Sequence, residues 1–110
     1  MTVDYRRMPY CWIRYWRSWL GLDDLAWYLG EVDENMVTAE DGTTGHEIVG
    51  VICGGSPHAT EFTIIHSRPL TEDDVIHELL HVKYPSWGEQ TVEEETWRLY
   101  LIRKDERRRA

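Results

Sequence analysis

The sequence predicts an α+β domain: an N-terminal helix, a small three-stranded, mostly antiparallel sheet, a helix carrying a candidate active site, and a C-terminal glutamate-bearing helix. Three observations predict it. Apolar residues recur at helical spacing in residues 10–20 and again in residues 75–82. Between these stretches the pattern changes to short β-branched and aromatic runs broken by glycine and proline. Within the second helical stretch stands His77-Glu78-Leu79-Leu80-His81, the pattern H-E-x-x-H.

In chain order, Pro9 suits a first helical turn, and Trp12, Ile13, Tyr15, Trp16, Trp19 and Leu20 then line one side of a helix from Tyr10 to Leu20. Gly21 is placed to end it. An aromatic stripe in a chain this small reads first as core packing, and second as a partner surface. Trp27–Asp33 mixes aromatic and β-branched residues and reads as a strand. A turn-rich connection containing Asp41-Gly42 leads to a short apolar strand, Ile48–Cys53. Gly54-Gly55-Ser56-Pro57 breaks that run, and Thr60–His66 forms a third strand. Thr71 is a fitting N-cap for the motif helix, with Asp74 completing a capping box and acidic residues filling its first turn. Pro85 stops it, and Tyr84–Gly88 turns the chain. A last helix begins at about Glu89 or Thr91 and runs to Arg103. Residues 1–9 and 104–110 read as flexible ends of a single minimal domain, 1–110.

Composition excludes several function classes. The net charge is −8, and it is uneven: residues 1–18 and 103–110 carry +3 each, leaving −14 in between. A negative body does not suit nucleic-acid binding, which needs a basic face. No segment approaches the roughly 18 uninterrupted apolar residues of a membrane span, and no secretory signal precedes the first helix, so a cytoplasmic, membrane-free protein is expected. Cys11 and Cys53 are 42 residues apart and form no zinc-binding pair. Both are expected as free thiols, with Cys53 buried at the end of an apolar strand.

The chemistry of the motif follows from helix geometry. Residues i and i+4 lie one above the other, so His77 and His81 can grip one Zn²⁺, and Glu78 can act as general base on water. Val75, Ile76, Leu79, Leu80 and Val82 fill another arc of the same helix, so the two histidines are not simply part of its apolar face. A catalytic zinc usually takes a third protein ligand. The last helix offers Glu93, Glu94 and Glu95. Glu95 is favoured because it shares a face with Val92, Thr96, Leu99 and Ile102, while Glu94 and Glu93 stay open as alternatives. His46 and His58 read as surface residues. His66 ends the strand before the motif helix and could approach the site. Tyr84 and Tyr100 read as packing residues that could also donate to an oxyanion.

The order helix, short sheet, H-E-x-x-H helix and glutamate-bearing helix resembles the minigluzincin metallopeptidases, over roughly residues 11–103. The specific part is His-Glu-Leu-Leu-His-Val-Lys-Tyr-Pro85 followed by Glu93–Glu95. The resemblance implies that His77 and His81 bind zinc, that Glu78 is the general base and acid, and that a glutamate on the last helix is the third ligand. It implies hydrolysis of a peptide or unfolded-protein substrate. It also implies that Thr60–His66 is a rim strand, to which an extended peptide adds. Members of this size can be latent, and the arginine-rich ends are candidates to lie in an acidic cleft. The competing expectation is a regulatory or interaction module with a closed structural zinc, His66 or Cys53 supplying a fourth ligand. A further one is a metal-free interaction protein using the Trp-rich first helix. The oligomeric state is left open.

Overall fold

The structure is a computed structural model and describes residues 8–37, 42–45, 47–55 and 59–109. The expected α+β order is present: α1 (Met8–Trp19), β1 (Ala26–Glu31), a single 3-10 turn (Glu34–Met36), β2 (Val49–Gly54), β3 (Glu61–His66), α2 (Glu72–Lys83) and α3 (Glu89–Arg109). The chain divides into two compact units, one holding the three helices and one, residues 23–70, holding the sheet. His46 and His58, and residues 1–7, lie outside the described residues.

In the helical unit, α2 touches both α1 and α3. The helical periodicities read from the sequence become its core: Ile13 and Trp16 from α1, Val75, Ile76, Leu79 and Leu80 from α2, and Val92 and Leu99 from α3 are all buried. The stripe on α1 is mainly packing, although Trp19 at its end is exposed. Gly21 ends α1 in the left-handed region (φ 72°). Its N–H bonds Ser18 O at 3.1 Å, and Leu22 N–H bonds Arg17 O at 2.8 Å. That pair of bonds is a Schellman cap, and buried Leu22 supplies its apolar contact. Thr71 and Asp74 form the expected reciprocal capping box at the start of α2.

α3 does not stop at Arg103. It runs on through Lys104–Arg109, stabilised by Arg103–Glu106 and Arg109–Asp105 pairs at helical spacing and by basic residues in its last turn. Arg107 is held by Glu72 at the start of α2, through bonds of 2.6 and 2.9 Å. Trp16 Nε1–H of α1 donates to the same carboxylate at 2.8 Å. Glu72 is only 5% exposed. A buried carboxylate needs such partners, and here they come from α1 and α3, so the contact ties all three helices together. Arg103 also lies over the Tyr15 ring, 4.0 Å from its centre. Arg107, placed by the sequence in a free basic end, is a tertiary anchor at the opposite end of α2 from His81.

In the sheet unit the strand order is β1-β3-β2. β2 and β3 are antiparallel, with Val49 opposite His66 and Gly54 opposite Glu61. Gly55 turns that hairpin at φ 101°, and Thr60 N–H returns to Gly54 O at 2.9 Å. β1 pairs in parallel with the other side of β3, Ala26 beside Glu61 and Glu31 beside His66, so the sheet is mixed. This corrects the rim-strand expectation for Thr60–His66. β3 is central and its backbone groups are used on both sides, so no peptide can add to it; among the described residues the edge strands are β1 and β2. Cys53 is also corrected: it lies on edge strand β2 and is exposed, as is its neighbour Ile52. An apolar run on an edge strand need not be covered on both faces. No helix among the described residues is long and apolar enough to cross a membrane.

Candidate metal centre

The site lies wholly within the helical unit and is built on α2. The helical spacing sets His77 and His81 on one face, with ring centres 4.9 Å apart. Their Nε2 atoms face each other at 3.2 Å. Two Zn–N bonds of about 2.0–2.1 Å at a tetrahedral angle would separate their nitrogens by roughly 3.3 Å. The pair is therefore spaced as two ligands of one small ion.

Glu78, between them in sequence, is 5% exposed, and its Oε2 has no hydrogen-bond partner among the described residues. One ligand atom from each of His77, Glu78 and His81 falls within 4.8 Å of the others. Burial, followed by the charges of Glu89 and Asp74, pushes the Glu78 carboxyl up to about 7. A buried carboxylate oxygen without a donor is costly, and such groups point to a missing ion, water or proton.

A second carboxylate, outside the Glu93–Glu95 stretch, contacts both histidines. Glu89, the first residue of α3, places Oε2 3.1 Å from His77 Nε2 and Oε1 2.7 Å from His81 Nε2. Glu95 is not brought to the histidines. Its carboxylate is gripped by Arg98 through Nε at 2.9 Å and through Nη2. That guanidinium holds Glu95 below the usual carboxylate range. Glu94 accepts from Gln90 Nε2 at 3.3 Å, and Glu93 is exposed. The cause is the tight turn at Tyr84–Gly88. Trp87 N–H bonds Tyr84 O at 3.0 Å, and the two rings stack with centres 3.9 Å apart. α3 then starts at Glu89, so its first side chain meets the last turn of α2. Glu95 is about 9 Å farther along the axis at 1.5 Å per residue. The sequence signal for Glu89 was the Gly88–Glu89 junction. Of the two starts the sequence allows, Glu89 and Thr91, the helix takes Glu89, and Thr91 lies inside it.

Three other sequence candidates have contacts of their own. His66, on β3, donates Nδ1–H to Arg68 O at 2.9 Å. Tyr100 meets Trp97 edge-on, and Tyr84 stacks on Trp87. Two imidazoles with one or two carboxylates form a donor set suited to Zn²⁺ and to other first-row divalent ions, so the residues present fit a metal without selecting one. No protein-family model, curated protein or solved structure matches the chain.

Proposed function

We propose that this chain is a minimal metallopeptidase that hydrolyses peptide bonds in a peptide or unfolded-protein substrate. His77, His81 and Glu89 hold Zn²⁺, and Glu78 is the general base. One observation carries the reading: two imidazole nitrogens at ligand spacing stand near the carboxyl of buried Glu78, whose Oε2 has no hydrogen-bond partner among the described residues. A zinc ion bound there supplies a Lewis acid that polarises a carbonyl and acidifies water. Glu78 would take the proton of the attacking water and return it to the leaving amine, the role of a general base placed beside the metal ligands. Burial of Glu78 keeps bulk water from competing for that proton.

The test is zinc content and peptide cleavage measured together. Wild type is expected to bind about one zinc per chain, and His77→Ala to lose it. Glu78→Gln is expected to keep the zinc and to lose turnover by about 10²- to 10⁴-fold, the usual scale for a general base. Wild-type cleavage by Glu78→Gln would refute the assignment. A second reading is favoured by the proximity of Glu78 itself to both histidines: a closed structural zinc with Glu78 as fourth ligand. It predicts that Glu78→Gln weakens zinc binding and that no variant cleaves peptides.

A further inference from the structure

One face of α3 carries an apolar centre that no other described residue covers. Trp97 and Leu101, one turn apart, are 51% and 56% exposed, while Val92, Thr96 and Leu99 occupy the opposite, buried face. The exposed residues around this centre recur at seven: Gln90, Trp97 and Lys104 form one row, and Glu94, Leu101 and Arg108 form the next. Two adjacent rows at that interval share one stripe of the helix, where a second helix can seat, here on a two-residue apolar centre flanked by polar and charged side chains. The charges along the seam change sign, acidic before the apolar centre and basic after it.

We propose that α3 pairs antiparallel with α3 of a second copy of this chain, forming a two-fold dimer centred at the level of Leu99. In that register Trp97 meets the partner's Leu101, Glu94 meets the partner's Lys104, and Gln90 meets the partner's Arg108. Each contact occurs twice by symmetry, as a closed isologous interface requires. A parallel pairing would set Glu94 against the partner's Glu94 and Arg108 against the partner's Arg108, and like charges across a seam oppose association. The charge order along α3 therefore selects both the occupant and its direction. The proposal is independent of the metal centre, whose residues are on other faces of α2 and at the first turn of α3.

Sedimentation equilibrium of the full chain tests it, from about 1 to 200 μM. Wild type is expected to dimerise within that range, and Leu101→Glu to weaken association at least about 100-fold. Glu94→Lys and Lys104→Glu are each expected to weaken it about tenfold. The double variant Glu94→Lys/Lys104→Glu, which restores opposite charges across the antiparallel seam, is expected to return to within about threefold of wild type. All three positions are exposed, so circular dichroism and the melting temperature of the monomer should not move. A wild type that stays monomeric, a Leu101→Glu variant that dimerises normally, or a double variant no better than the single ones would overturn the proposal.

Discussion

Glu78 and Glu89 are both carboxylates beside the same histidines, yet their surroundings differ. Glu78 is buried, with one oxygen that has no hydrogen-bond partner among the described residues, while the Glu89 side chain is 74% exposed. Burial raises the folded-state pKa of Glu78 to about 7 from an ordinary 4.5. The metal-free fold then holds the proton more tightly than the unfolded chain does, so stability falls as pH rises from about 4.5 to about 7. Glu78→Gln should stabilise the metal-free protein by about 1–3 kcal/mol at pH 8 and change little at pH 4, the upper figure being the full linkage value for such a shift. Urea denaturation with chelator present, at both pH values, checks this; an effect independent of pH would contradict it. Glu89→Ala should weaken zinc binding at least about tenfold, whereas Glu95→Ala should leave it unchanged because its carboxylate is engaged by Arg98. Competition with a fluorescent chelator distinguishes the two, and the reverse ranking would return Glu95 to the site. His77, Glu78 and His81 were legible in the sequence because i, i+4 spacing is local information. Glu89 was not, because its position depends on how tightly residues 84–88 turn.

Helix α3 shows the same limit at the level of an element. Its apolar rows were readable, but its end was not, because a run of arginines looks like a solvated tail until a partner is known. The partner is Glu72, 35 residues away in sequence and 5% exposed. Arg107→Ala should cost about 2 kcal/mol, below the 3–5 kcal/mol for a fully buried pair because Arg107 is itself 46% exposed. Arg109→Ala, which breaks only an exposed pair with Asp105, should cost at most a few tenths. Thermal denaturation of the two variants checks the contrast. Equal effects would mean that the Glu72 clasp contributes nothing. Cutting the chain after Arg103 should for the same reason lower stability. In the sheet, strand existence was legible from β-branched runs. Strand order was not, because the long connection from β1 to β2 permits either edge of β3 to be taken.

For the molecule as a whole, a metal that binds only the folded state adds stability by mass action. Zinc at about 100 times its dissociation constant should add about 2.7 kcal/mol. For a chain of 110 residues this raises the melting temperature by about 10 °C. His77→Ala should show no such shift, and a shift of equal size in that variant would place the ion elsewhere. The overall class was readable because α1, α2 and α3 each carry a clear helical period and the intervening stretch does not. The division into two units was not, since it joins residues near both ends of the sequence into one core.

That division bears on how the chain is made. The sheet residues, 23–70, form one continuous stretch and can complete their pairing as soon as they leave the ribosome. The helical unit must wait. α1 emerges first, but Trp16 and Glu72 lack Arg107 until the far end of α3 has been synthesised, and His77 and His81 lack Glu89 until the turn beyond Tyr84 has formed. Both contacts depend on segments that follow residues 23–70 in the chain, so the sheet can finish pairing before the helical core and the candidate site are complete.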